Sequence, residues 1–182
     1  SKVGPYHATV GAPLIIRLPA VMAEKTAGRV VTEPVSGVDL PPTFFAQAGL
    51  PLPWEMHGED LSPLLEDPKA QRTAPAMLVH TGKIYGSATA KIPPADDPRL
   101  YHGPGVPWYV MIAEGRYKYV RNFIEGEVEE LYDLDRDPEE LKHLALQPRH
   151  TKRLKIYRGK AVDELRRTQA PFLTNMPRPS TL

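Results

Sequence analysis

Trp108-Tyr109-Val110-Met111-Ile112, then Glu114-Gly115, then Arg116-Tyr117-Lys118-Tyr119-Val120-Arg121-Asn122-Phe123 is the stretch that decides the fold. The first run is apolar and of strand length. Glu114-Gly115 reads as a turn. The second run alternates with period two, as a half-buried antiparallel strand does. A second turn at Glu125-Gly126 leads into Glu129-Glu130-Leu131-Tyr132-Asp133-Leu134, a third strand. Strands joined by such short turns predict an antiparallel meander. Arg116, Lys118 and Arg121, interleaved with Tyr117 and Tyr119, are expected to form a solvated basic face of that meander rather than a nucleic-acid surface.

Downstream, Asp137-Pro138-Glu139-Glu140 has the form of a helix start. A last helix is expected from near Thr151 to Thr168, because Leu154, Tyr157, Ala161 and Leu165 recur on one face. Arg153, Lys155, Arg158, Lys160, Arg166 and Arg167 then decorate its polar side. The tail from Pro171 is proline-rich and reads as extended.

Upstream, Met77-Leu78-Val79-His80 reads as a buried strand, followed by a long loop over residues 81–107. Residues 66–76 are a connection, and Asp60 to Leu65 a short helical turn. Asp39 reads as the N-cap of a helix with Pro41 and Pro42 in its first turn. That helix carries Leu40, Phe44, Phe45 and Ala48 and stops at Gly49. Arg29-Val30-Val31-Thr32 is expected to be a short strand. Ala12-Pro13-Leu14-Ile15-Ile16-Arg17-Leu18 is expected to be a buried one, ended by Pro19.

Composition narrows the function classes. The chain has 182 residues, 41% hydrophobic and 25% charged, the balance of a globular protein of one domain or two small ones. Lys plus Arg is 23 against 22 acidic residues, so no basic excess marks a nucleic-acid binder. Cysteine is absent, which excludes disulfides, thiolate zinc sites and cysteine nucleophiles within this chain. Proline, at 21 residues, is about twice the usual share and predicts many loops. No apolar run approaches the roughly 18 residues of a membrane helix. No signal-peptide pattern opens the chain, and its abrupt entry into an apolar segment predicts a piece of something longer.

Two segments resemble the sulfatase family. Lys2-Val3-Gly4-Pro5-Tyr6-His7-Ala8-Thr9-Val10-Gly11-Ala12-Pro13 and the apolar run after it resemble Gly-Lys-x-x-x-Tyr-Glu-x-x-x-Arg-x-Pro followed by a strand. Lys2, Tyr6 and Pro13 match in register. His7 stands where the family has Glu, and Gly11 where it has Arg. Val38-Asp39-Leu40-Pro41-Pro42-Thr43, Ala48-Gly49-Leu50-Pro51 and Gly58-Glu59-Asp60-Leu61-Ser62-Pro63-Leu64-Leu65 continue the likeness. Further on, Arg116-Tyr117-Lys118-Tyr119, Glu130-Leu131-Tyr132-Asp133-Leu134 and Asp137-Pro138-Glu139-Glu140 resemble the family's C-terminal signature, which Leu141, Leu144 and Ala145 extend.

The resemblance implies an α/β fold: the end of an alkaline-phosphatase-like mixed-sheet domain, then a small antiparallel sheet with a C-terminal helix. Residues 1–75 would be the closing strand and helices of the large domain, 76–107 a strand and long loop, and 108–182 the meander plus helix. The strand at Leu14–Leu18 would then be cut from its sheet, with an exposed edge.

The resemblance also implies chemistry. The family hydrolyses sulfate esters with a formylglycine and a calcium or magnesium ion. The formylglycine arises from Cys or Ser in Cys/Ser-x-Pro-x-Arg, and no serine of this chain begins that motif. Lys2 corresponds to the lysine that binds a sulfate oxygen, where a compact ammonium neutralises developing charge. His7, His80, Tyr85, Tyr101 and His102, with Trp108 at the edge of the loop, are candidate substrate contacts. His57 reads as structural, and His143 and His150 receive no role. Asp96-Asp97 reads as a solvated turn. Asp133, Asp135 and Asp137 lack the glycine and glutamate of a calcium loop. No complete metal site is therefore expected in this chain.

The leading expectation is the C-terminal region of a sulfatase-like hydrolase, inactive alone and partnered by the catalytic region that precedes it in the family. One alternative is a non-catalytic module that self-associates through the strand edge and binds a ligand in loop 81–107. The other is part of a related phosphate or phosphonate hydrolase. Neither a nucleic acid nor a membrane is an expected partner.

Overall fold

The structure, a computed structural model, describes residues 3–18, 28–67, 70–82, 88–102 and 105–180. The chain forms two compact units, residues 1–11 with 77–182, and residues 12–76.

The first unit is built on a four-stranded sheet in the order β1-β2-β3-β4, with β1 Ala76–His80, β2 Tyr109–Glu114, β3 Tyr117–Asn122 and β4 Glu130–Asp133. β2, β3 and β4 form the expected antiparallel meander. Ile112 faces Tyr119 and Tyr119 faces Leu131, while Lys118 lies between Ala113 and Tyr132. Gly115 and Gly126 take φ of 52° and 71° at the two turns, a conformation in which a side chain is strained.

Helix α4 (Thr151–Arg167) covers one face with Leu154, Tyr157, Ala161 and Leu165, the stripe its sequence spacing predicts. Those residues share a core with Ile92, Leu100, Trp108, Val110, Ile112, Tyr119, Phe123, Leu131 and Phe172. Its polar side is less free than expected. Arg158 pairs with Glu129, Lys160 with Glu114, and the Arg153 guanidinium sits 4.1 Å from the Tyr117 ring centre. Beyond α4 the tail is not extended from Pro171 as expected: a turn and a 3-10 helix at Leu173–Asn175 come first. Only Met176–Ser180 carries no helix, tied to the second turn where Gly126 donates to the Arg178 carbonyl at 3.0 Å.

The basic face of β3 is not solvated. Lys118 and Arg121 are 2% and 7% exposed. β3 is an inner strand covered on both sides, so alternation reports which face a residue points to and not whether that face is wet. Lys118 points away from α4, beneath residues 3–10, and forms an ion pair with Glu140. Arg121 points the other way and donates to the Pro177 carbonyl.

Asp137-Pro138-Glu139-Glu140 does not start a helix. The Asp137 carboxylate accepts from the amides of Leu141 and Lys142 at 3.0 and 2.7 Å. Glu140 takes φ of 58°, which no helical residue can. The side chain closes a turn around itself, and this competes with the helix.

The second unit holds α2 (Leu40–Gln47) and α3 (Ser62–Glu66), close to the ranges the prolines and glycines predict. Gly49 follows α2 with φ of 66°. The Asp39 side chain does not cap α2. It accepts from the amides of Ser36 and Glu59 and from the Arg72 guanidinium. Thr43 completes the arrangement, donating to the Asp39 carbonyl and accepting from the Leu61 amide. Two expected strands are absent. Residues 12–18 and 29–32 have no regular structure, and Ile15 is 92% exposed. An apolar run becomes a strand only where another strand takes up its backbone groups, and no described strand pairs with either segment.

Candidate functional site

Residues 3–11 lie on the sheet face opposite α4, and among the described residues they are tied to the meander and the turn after it. The Tyr109 hydroxyl donates to the Val3 carbonyl at 3.1 Å. Tyr6 donates to Glu130 at 3.3 Å and meets the Tyr132 ring edge-on with 6.4 Å between centres. The His7 amide donates to Glu140. α1 (His7–Val10) then turns the chain, and Val10 packs on the apolar patch of Tyr109, Met111 and Val120. Tyr132 in turn donates to Glu130 at 2.7 Å.

The electrostatics of this face follow from burial. Burial, then the Glu130 charge, pushes the Tyr6 hydroxyl up to about 12. Burial, then the hydrogen bond to Glu130, raises Tyr132. Burial lowers the Lys118 ammonium below its usual range, against the opposing pull of Glu140.

His7 and Gly11, the two departures from the sulfatase pattern, touch. A Cβ placed on Gly11 would come within 2.7 Å of both the His7 ring and the His7 carbonyl. The imidazole occupies the room a side chain at position 11 would take, so the two departures belong together.

A second cluster lies next to Tyr109. The His80 ring stacks on Tyr109 with 5.3 Å between centres and meets His102 edge-on at 4.9 Å. His102 Nδ1 lies 3.3 Å from the Gly82 carbonyl oxygen. The structure thus places His80 and His102 side by side, next to the tyrosine that holds Val3. Tyr101 is only partly available, since its hydroxyl donates to the Ala95 carbonyl at 2.9 Å and its ring packs on the core. Trp108 is a core residue, 2% exposed, and forms no part of a wall. Lys2 and Tyr85 lie outside the described residues.

Burial, then the neighbouring His102, holds the His80 imidazole below its usual pKa. The folded chain therefore takes up this proton only below the roughly 6.5 of an unfolded histidine. Stability is full above about pH 6.5 and is lost as pH falls through the folded value. Urea midpoints should decrease between pH 7.5 and pH 5, and His80→Phe should flatten that decrease. An unchanged slope in the variant would place the effect elsewhere.

Sequence reading missed Tyr109, Lys118 and Glu140 as parts of this face. Tyr109 alone had a usable signal, its period-two relation to Met111. No three His, Asp or Glu side chains converge on a metal-binding geometry among the described residues. The acids of this face are already engaged, Glu130 by two tyrosines and Glu140 by Lys118 and the His7 amide. These donors do not make a divalent-cation site.

Asp97 behaves as a turn residue, accepting from the Arg99 amide at 2.8 Å and pairing with its guanidinium. The residues of the Asp133–Asp137 series are likewise structural where their bonds are seen: Asp133 pairs with Arg116, and Asp137 closes its turn.

The comparisons agree with the motifs. Residues 2–83 match the family described as N-sulphoglucosamine sulphohydrolase, C-terminal. The chain is 30% identical over 168 residues to the Delta 4,5-hexuronate-2-O-sulfatase of Bacteroides thetaiotaomicron, covering 92% of this chain and 31% of that protein. It is 37% identical over 89 residues to the human steryl-sulfatase, 48% of this chain and 15% of the relative. A solved structure from Bacteroides thetaiotaomicron, assigned as a sulfatase, superposes with a TM-score of 0.52 at 27% identity, covering 72% of this chain and 25% of the other. The phosphonate monoester hydrolase of Agrobacterium radiobacter shares the fold, with a TM-score of 0.55 at 24% identity over 80% of this chain and 27% of its own. The chain spans about a third or less of the length of these relatives.

Proposed function

Because the chain belongs to the sulfatase family and matches the C-terminal part of its members, we propose that it supplies an anion-binding lysine and part of the substrate wall to a sulfate-ester hydrolase. The observation that carries this reading is the placement of residues 3–10. The segment directly after Lys2 is bound to the sheet next to His80 and His102.

Each group has a distinct task in this reading. The Lys2 ammonium neutralises charge on the ester and leaving-group oxygens. The exposed His7 exchanges a proton with a substrate hydroxyl or leaving group. His80, held neutral by its surroundings, offers a hydrogen bond rather than a charge. The nucleophile motif lies outside this chain, so the chain binds and orients while the remaining two thirds of the relatives' length supply bond cleavage.

The purified 182-residue chain is expected to show no turnover of 4-nitrophenyl sulfate. An antibody against it is expected to detect, in the native source, a protein much larger than 20.3 kDa. In that larger protein Lys2→Ala should abolish sulfate-ester hydrolysis. Turnover by the isolated chain that Lys2→Ala blocks would overturn the proposal. A native band at the chain's own size would favour the self-associating module. Hydrolysis of a phosphonate monoester with none of the sulfate would move the assignment to phosphoryl transfer.

A further inference from the structure

The geometry points to Glu140 as a positioning residue for the segment that follows Lys2. Glu140 is 8% exposed, and among the described residues its carboxylate has two partners, both from distant parts of the chain. Its carboxylate pairs with the Lys118 ammonium of β3 and accepts from the His7 amide. The backbone shows what this contact demands. Glu140 sits at φ of 58°, a left-handed conformation that favours glycine. A glutamate persists there only when its surroundings hold it. The Asp137 carboxylate fixes the turn from one side, and the Lys118 and His7 contacts hold the side chain from the other.

The His7 amide is also one that α1 itself leaves without a partner. Within α1 the bonds run from Thr9 and Val10 to the Tyr6 carbonyl and from Gly11 to the His7 carbonyl. An isolated turn of four residues is not stable in water. Glu140 therefore satisfies the first amide of a helix too short to hold itself, and it does so from the face that carries β3. Tyr6 with Glu130 and Tyr109 with Val3 are the flanking ties. The two parts of the chain that carry the family likeness are thus one device. The C-terminal signature presents Glu140, Lys118, Glu130 and Tyr132 as a clamp, and residues 3–10, which follow Lys2 in the sequence, are what the clamp holds.

The functional meaning of the clamp rests on the role proposed for Lys2, but its existence is tested without any activity. Single removal of Glu140 leaves a buried lysine unpaired and perturbs the whole sheet. The informative comparison is therefore between two double variants, Lys118→Met with Glu140→Gln and Lys118→Met with Glu140→Gly. Both remove the buried charges. Glutamine keeps an acceptor for the His7 amide, whereas glycine removes it and relaxes the strained backbone.

Amide hydrogen exchange read residue by residue should show His7, Thr9, Val10 and Gly11 exchanging at least about tenfold faster in the glycine variant than in the glutamine one. The amides of β2 and β3 should exchange equally in both. Equal exchange of residues 7–11 in the two variants would overturn the proposal. So would a loss in the glycine variant that β2 and β3 share, since that is global destabilisation. Failure of the Lys2 assignment would instead appear as a larger native protein that keeps its activity after Lys2→Ala, with these exchange rates unaffected.

Discussion

Trp108→Ala is expected to cost the first unit about 3–5 kcal/mol, the range for deleting a buried large aromatic side chain. The indole is 2% exposed and lies among Leu100, Val110, Phe123 and the buried face of α4. Its N–H donates to the Arg99 carbonyl at 3.0 Å, so truncation leaves a void and removes that bond as well. The backbone of the same residue joins the loop to the sheet. Its amide donates to the Leu100 carbonyl at 2.9 Å, and its carbonyl accepts from Phe123 at 2.8 Å. Trp108→Phe keeps most of the volume and loses only the indole bond, so its cost should be well below that of alanine. Exchange of the Ile112, Tyr119 and Leu131 amides reports this unit directly. A loss below about 1 kcal/mol in Trp108→Ala would contradict the core position and return Trp108 to a ligand wall.

Asp39→Ala is expected to destabilise residues 12–76 by about 3–5 kcal/mol, the range for breaking a buried ion pair from one side. Asp39 is 1% exposed, and the Arg72 side chain 5%. The carboxylate accepts from Ser36, Glu59 and both terminal nitrogens of Arg72 at 2.6–3.2 Å. Alanine strands the guanidinium, which keeps a 3.3 Å contact with Glu59 and the Nε–H bond to the Ala74 carbonyl at 3.0 Å. Asp39→Asn retains an acceptor without the charge, so its stability should fall between wild type and Asp39→Ala.

Burial by itself would raise the Asp39 carboxyl, but the bonds from Arg72, Glu59 and Ser36 prevail and hold it below its usual range. Its contribution is full above the unfolded value of about 3.9 and is lost as pH falls through the folded one. Faster exchange of the Glu59 and Leu61 amides measures both effects. The neighbouring Gly58 leaves as little freedom, because a Cβ there would lie 1.9 Å from the Val38 carbonyl oxygen.

Elements whose signals are local are legible in the chain alone. The alternation of Tyr117–Asn122, the glycines at each turn and the stripe of Leu154, Tyr157, Ala161 and Leu165 are periodicities that need no partner to be seen. They place the meander and the last helix close to their observed bounds. The ordered motifs around Lys2, Asp39 and Glu130-Leu131-Tyr132-Asp133-Leu134 carry the family in the same way.

Features that depend on a partner distant in sequence emerge only from packing in three dimensions. Lys118 and Arg121 read as solvated because alternation cannot say what covers a face, and the covers are residues 3–10 and the Pro177 carbonyl. Leu14–Leu18 reads as a strand because it is apolar, but a strand's backbone groups need a second strand, and none is described beside it. Asp137–Glu140 reads as a helix start because aspartate and proline favour one. A buried lysine on β3 and the amide of His7 instead hold Glu140 in a conformation that no helix permits. The free energy of that ion pair and hydrogen bond comes from groups far upstream in the chain, which no local pattern encodes.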